Sequence, residues 1–198
     1  MLTPDQLKED LKTVLANRKP ERIKGTGTDY TQAAVLLPLF IRDGQYWILF
    51  TRRTNTVEYH KGEVSFPGGV VDEHDDSLET TAKRETFEEI GVREEDIEIV
   101  GQLDDVTTVK SRFIVRPFVG VVPFPYAFTI NKREVEGLIE VPLKFFLDPC
   151  QPQSFSINYE GDTFETPAFI YEGVVIWGAT QRIIENFINL IRSKIRLH

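Results

Sequence analysis

The chain has 198 residues, 41% of them hydrophobic, with 23 basic against 31 acidic side chains and a formal net charge of −8. This length predicts one domain with a terminal extension, and the composition an ordinary globular core. The negative charge argues against general nucleic-acid binding. One cysteine excludes an internal disulfide, and no apolar run reaches the ~18 residues of a membrane span.

Asp5, Glu9 and Asp10 interrupt any signal-peptide pattern, so a cytosolic protein is expected. The lone thiol, Cys150, is expected as buried apolar filler. Thr3-Pro4-Asp5-Gln6 reads as a capping box with proline at the first helical position. Leu7, Leu11, Val14 and Leu15 extend it as a helical stripe to about Ala16, for packing on the domain or on a partner subunit. Residues 18–29 are polar and turn-rich. The expected layout is therefore an N-terminal helix and connector over residues 1–30 and the main domain over residues 31–198.

Ala33 to Phe40 is apolar throughout and predicts a buried strand interrupted or edged by Pro38. Arg42-Asp43-Gly44 signals a hairpin turn. Tyr46 to Thr51 is the return strand, which delivers Arg52 and Arg53 to its end. Residues 58–62 form a polar loop whose His60 is expected in solvent. Glu63 to Pro67 is a short strand leading into Gly68-Gly69, where glycine permits close backbone approach.

Asp72, Glu73, Asp75 and Asp76 lack the order of a calcium loop and are expected as a solvated acidic turn. Asp75, Asp76 or Ser77 can cap the helix that follows. Leu78, Ala82, Thr86 and Ile90 give it a mostly apolar stripe, and Gly91 is placed to end it. Glu85, Glu88 and Glu89 fall within roughly 100° on one face of that helix. Three like charges so close repel one another. Arg84, one turn before Glu88, offsets part of that charge, and a divalent ion is the natural further partner. Oxygen-only ligands favour Mg²⁺ or Mn²⁺ over zinc. The plainer reading is a solvated helix face with i,i+4 pairs.

Beyond the helix, Ile97 to Leu103 and Phe113 to Val122 read as strands, with a polar loop at 104–111 between them. Pro123 to Tyr126 is a proline-aromatic loop. Asn131 to Pro142 is a second acidic stretch containing Glu134, Glu136 and Glu140. Leu143 to Leu147 is a short helix or turn, and Gln153 to Ile170 a hairpin around Glu160-Gly161-Asp162. A final helix from Ala179 to about Ile195 presents Ile183, Ile184, Phe187, Ile188 and Ile191 to the core.

The stretch from Phe66 to Val92, FPGGVVDEHDDSLETTAKRETFEEIGV, resembles the Nudix box, G-x5-E-x7-R-E-U-x-E-E-x-G-U with U aliphatic. Arg84-Glu85, Glu88-Glu89 and Gly91-Val92 match in order and spacing. Six residues separate Gly69 from Asp76, which stands for the first glutamate, and Thr86 stands for an aliphatic residue. The extra residue resembles the coenzyme A pyrophosphatase branch. That branch carries an upstream signature, L-L-T-x-R-(S/A)-x3-R-x3-G-x3-F-P-G-G, whose spacing is intact here from Leu49 to Gly69. It runs through Leu49-Phe50-Thr51-Arg52-Arg53-Thr54, Glu58, Gly62 and Phe66-Pro67-Gly68-Gly69, with Glu58 at the second arginine's position. Ile176-Trp177-Gly178-Ala179-Thr180 resembles the I-W-G-x-T opening of the branch's last helix. The resemblance covers about residues 33–192.

It implies an α+β protein with the Nudix fold, an α/β/α sandwich on a mixed β-sheet. It implies metal-dependent cleavage of the diphosphate of coenzyme A or its thioesters into 3′,5′-ADP and a 4′-phosphopantetheine species. Another nucleoside diphosphate derivative, ADP-ribose or NADH, is the second substrate class, and Glu58 favours it. A nucleotide-sensing module without turnover is the alternative outside the enzymes, and the intact glutamates argue against it. The implied metal ligands are Glu85, Glu88, Glu89 and the Gly69 carbonyl. Glu85 or Glu134 is the general base and Arg84 orients Glu88. Arg53 and Arg52 are either exposed strand-end charge or contacts for substrate phosphate. The Pro123 to Tyr126 loop either packs or walls an adenine or pantetheine group. The expected partners are a small nucleoside diphosphate substrate and a second copy in a homodimer, with no nucleic acid and no membrane.

Overall fold

The computed structural model describes residues 3–23, 30–54, 62–108, 111–159 and 162–194. Its central strand is β1 (Thr31–Arg42). Apolar side chains line both faces of that strand, as in any strand buried between two layers. Ala34, Leu36 and Phe40 enter one core, and Ala33, Leu37 and Leu39 the other. β1 turns through Asp43 and Gly44, both at positive φ, into β2 (Gln45–Arg53). This is the primed turn that suits a two-residue hairpin loop.

Pro38 does not interrupt β1. Leu36 donates its N–H to the Pro67 carbonyl, and pairing with β2 begins only at Leu39. The missing N–H of Pro38 falls between those two partners, where no ladder bond is lost.

β3 (Val64–Ser65) pairs with β2, and β4 (Gly68–Val70) pairs antiparallel with β1. β7 (Phe113–Val121) lies parallel to β1 over nine residue pairs, from Thr31↔Phe113 to Leu39↔Val121. β5 (Glu98–Gln102) forms the edge beyond β7, and β6 (Val106–Thr107) pairs with β7 inside the expected polar loop. β8 (Val135–Pro142) pairs with the other side of β2. The sheet is therefore mixed.

Helix α2 (Leu78–Ile90) covers one face through Ala82 and Ile90. The other face carries α1 (Pro4–Ala16), α3 (Leu143–Phe146) and α4 (Gly178–Lys194). Leu7, Leu11 and Leu15 of α1 join the same cluster as Ile184 and Phe187 of α4. The first of these helices has its Thr3 cap and Pro4 start as expected. Past α1, the chain is tied to the sheet edge by ion pairs of Arg18 with Asp104 and of Arg22 with Asp105.

A second sheet lies on the same face as α4. It contains β9 (Gln153–Tyr159), β10 (Asp162–Tyr171) and β11 (Val174–Trp177), in the order β11-β10-β9. β11 follows a tight turn at Glu172-Gly173, both at positive φ, that the residue pattern did not reveal. The layers are thus helix, mixed sheet, and a second layer of helices with a small sheet, matching the expected α+β sandwich. Cys150 departs from expectation. It is exposed in a turn, with its N–H donating to Asp148 Oδ1, so it fills no core space. Among the described residues no helix is long and apolar enough to cross a membrane.

Candidate active site

Ser77 is the cap of α2. Its Oγ accepts the Thr80 N–H at 3.1 Å, and Gly91 ends the helix in the left-handed conformation. Thr86 can stand in the apolar stripe because its buried hydroxyl donates to the Ala82 carbonyl at 2.6 Å. The same stripe buries a carboxylate, since the Glu89 side chain is only 2% exposed.

Gly69 lets α2 lie this close to β4, and Gly68 lets β4 lie this close to β1. A Cβ on Gly69 would stand 2.5 Å from the carboxyl carbon of Glu85. A Cβ on Gly68, whose φ is +153°, would stand 2.4 Å from the Ala34 carbonyl oxygen. A side chain at Gly68 would have to move the β1 backbone, and one at Gly69 would have to displace the Glu85 carboxylate. The Gly68 backbone also hydrogen-bonds to the Glu89 carboxylate.

Arg84 is the hub of the acidic cluster. Its Nη1 reaches Glu85 Oε1 at 2.9 Å and Glu88 Oε2 at 3.2 Å, and its Nη2 reaches the Val70 carbonyl at 3.1 Å. Its strongest partner is Asp75, which it grips in two places at 2.9 Å through Nε and Nη2. Here the structure corrects two expectations. The residue at the place of the box's first glutamate is Asp75, not Asp76, which is exposed. Five residues separate Gly69 from Asp75, as in the box, so the extra residue lies between Asp75 and Arg84. Counting back from Arg84 could not locate it. Nor is Asp75 solvated, because its side chain is 2% exposed and also accepts the Thr81 hydroxyl at 2.8 Å. Arg84 does reach Glu88, but its orienting grip is on Asp75 and Glu85.

The two strand-end arginines part company. Alternation along β2 puts Arg53 on the α2 face with Leu49 and Trp47, and sends Arg52 to the opposite face. Arg53 Nη1 stands 3.5 Å from Glu89 Oε1. Arg52 is not brought to the carboxylates. Glu134 is brought there. Asn131 Nδ2 holds its carboxylate at 3.1 Å, and the Asn131 N–H is bonded to the Glu89 carbonyl at 2.9 Å. Its charge acts on both Glu85 and Glu89. Of the other acidic candidates, Glu140 pairs with Arg42 and Glu136 is exposed. Sequence reading missed Asp75 in this role, although the five-residue spacing from Gly69 marks it, and missed Asn131, whose only signal is its tertiary contacts. Glu58 and His60 lie outside the described residues. The Pro123 to Tyr126 loop packs, with Phe124 stacked on Phe40 at 4.8 Å and Tyr126 Oη donating to Asp96 at 2.7 Å.

Burial dominates the electrostatics of the cluster. It pushes Glu89 up to about 8 against the pull of Arg53, and the neighbouring charges of Glu85 and Glu134 add to the rise. Burial likewise raises Glu85, partly offset by Arg84. Asp75 is held well below the usual carboxylate range by Arg84, and Arg84 is raised in return.

Among the described residues no three acidic side chains converge on one point as they stand. Glu85 and Glu88 lean on Arg84, and Glu89 leans toward Arg53. The residues nevertheless fit a divalent ion. Among the described residues Glu89 Oε2 is buried without a hydrogen-bond partner, which costs about 1–3 kcal/mol unless something satisfies it. Glu85 lies against the Cβ-free face of Gly69, beside the peptide whose carbonyl is the expected fourth ligand. All donors are oxygen, the set a hard ion takes.

Residues 30–148 match the family model of the Nudix domain. The chain is 37% identical over 155 residues to an uncharacterized Nudix hydrolase, NudL, from Yersinia pestis strain Pestoides F, covering 78% of this chain and 77% of that protein. It has the same identity and coverage with NudL of Yersinia pseudotuberculosis serotype O:1b. Among solved structures it is similar to a MutT/nudix family protein from Enterococcus faecalis, with TM-score 0.53 and 16% identity over 97% of this chain and 76% of that one. The chain thus belongs to the Nudix family of hydrolases.

Proposed function

We propose that this Nudix hydrolase is a coenzyme A diphosphatase, which splits coenzyme A or its thioesters into 3′,5′-ADP and a 4′-phosphopantetheine species. The observation that carries the substrate is the signature spacing from Leu49 to Gly69. In the fold its two ends meet the same helix: Arg53 stands at Glu89, and Gly69 lies under Glu85.

Glu85, Glu88, Glu89 and the Gly69 carbonyl would hold Mg²⁺ or Mn²⁺. A bound ion supplies charge neutralisation for the diphosphate and lowers the pKa of a water. The chain's own residues do the rest. Arg84, locked by Asp75, fixes the place of Glu85. Arg53 offers a guanidinium to an anionic phosphoryl oxygen, and its buried Nε has no hydrogen-bond partner among the described residues. Glu85 or Glu134 accepts the proton of the attacking water. Burial raises Glu85, which brings it toward the working range of a base at neutral pH.

The second reading is a Nudix hydrolase for ADP-ribose or NADH, favoured by Glu58 where the branch has arginine. Mass-spectrometric product analysis on coenzyme A, acetyl-coenzyme A, ADP-ribose and NADH separates the two. Fastest release of 3′,5′-ADP from the coenzyme A compounds supports the first reading. Faster cleavage of ADP-ribose or NADH moves the assignment to the second.

A further inference from the structure

Among the described residues, the β9–β10 hairpin pairs with the rest of the protein only at its base. Ala168 and Phe169 of β10 are buried, and β11 lies beside them, from Ala168↔Trp177 to Tyr171↔Val174. From Pro167 outward, β10 pairs with no strand among the described residues except β9. Phe155 and Thr166 face each other on one side of the hairpin, as do Ile157 and Phe164. Phe164 is 49% exposed, and none of the three apolar residues belongs to either core cluster. Ser154 and Ser156 lie on the opposite face, where both hydroxyls donate to Glu165. Phe155 and Ile157 are half-buried, and a two-stranded hairpin with such a partly exposed apolar face is marginal in water by itself.

β9 is also an edge strand without the usual protection. Natural edges are blunted by charge, proline, a bulge or a covering element. Gln153–Tyr159 contains no charged residue and no proline, and its ladder with β10 runs without a register shift. In a chain of net charge −8, this is a seven-residue strand that does not repel an identical copy.

We infer that β9 is the interface of a two-fold symmetric homodimer, with β9 of one protomer pairing antiparallel to β9 of its partner. A two-fold axis at Ser156 places Phe155 opposite Ile157 of the partner subunit, and the reverse. The apolar residues of both hairpins then lie on one face, as an isologous contact requires. The result is a continuous four-stranded sheet with Phe155, Ile157 and Phe164 of each protomer on that face. A single β-hairpin becomes part of a sheet of stable size. The inference stands independently of the substrate.

The test is sedimentation equilibrium of the full chain, with Ile157→Lys beside it. Wild type should run at twice the 22.8 kDa chain mass. Ile157→Lys puts a cation in the interface and should weaken association by ~100-fold or more, with the helical circular dichroism kept because Ile157 is outside both cores. A wild-type monomer at 100-micromolar concentration overturns the inference, and so does an Ile157→Lys dimer of undiminished stability. Hydrogen exchange on wild type reads the same interface without any variant. The β9 amides that face away from β10 should lose protection as the protein is diluted. Protection that ignores dilution, or a dimer with β9 unprotected, contradicts it, and the latter outcome would place the contact elsewhere.

Discussion

At the scale of single residues, the site is defined by what burial does to Glu89 and by what glycine permits beside Glu85. A carboxylate raised to about 8 is mostly protonated at neutral pH and must lose that proton to hold an ion. Divalent metal affinity should therefore rise about tenfold per pH unit up to about 8 and level off above it, measured by calorimetry in two buffers to count the protons released. The stability of the metal-free protein runs the other way. A folded-state pKa above the unfolded value gives stability that is present below about 4.3 and lost as pH rises through about 8. Glu89→Gln should abolish that loss and raise the melting temperature at pH 8, while turnover disappears. Gly69→Ala should do neither. Its methyl group must displace the Glu85 carboxylate, so activity should fall by ~100-fold or more with the helix still formed.

Asp75 carries the opposite linkage. Its depressed pKa makes its contribution present above about 3.9 and lost as pH falls through the lower folded value. Asp75→Asn should cost about 1.5–3 kcal/mol at pH 7, the range for hydrogen bonds to a charged group. Asp76→Asn, at an exposed position, should stay within about 0.5 kcal/mol. Urea denaturation of both variants distinguishes the two aspartates directly. Equal costs would contradict the assignment of Asp75 as the partner of Arg84.

At the scale of elements, α2 was legible in the sequence because its cap, its stripe and its terminal glycine are all local signals. The strand pair β1–β2 was legible for the same reason, through an apolar run followed by Asp43-Gly44. What stayed hidden depends on contacts between distant residues. Pro38 looked like a break because its gap between two partner segments is a property of the sheet. Arg52 and Arg53 were both candidates, with only motif position favouring Arg53, because a bare sequence does not say which face meets α2. β11 is four residues long and was merged into the approach to α4. Helix α1 was readable as a helix, but its sequence left open whether it packs on the domain or on a partner subunit; Leu7, Leu11 and Leu15 lie in the core. Leu11, 1% exposed between the sheet and α4, should show it, since Leu11→Ala should lower stability by about 2–5 kcal/mol.

At the scale of the molecule, an acidic chain of net charge −8 brings two arginines, Arg53 and Arg84, to one cluster of carboxylates. Arg53 and Arg84 hold the acidic cluster together, and Glu89 Oε2 is buried with no hydrogen-bond partner among the described residues. The family and the fold follow from the whole chain, whereas the substrate rests on one stretch of β2 and the loop beyond it. The most direct test is therefore to incubate wild type and Glu89→Gln with coenzyme A and Mg²⁺ and weigh the products by mass spectrometry. Wild type should release 3′,5′-ADP and 4′-phosphopantetheine, and the folded variant should release neither. Coenzyme A left intact by a wild-type protein that binds the metal, or cleaved equally by Glu89→Gln, would contradict the account.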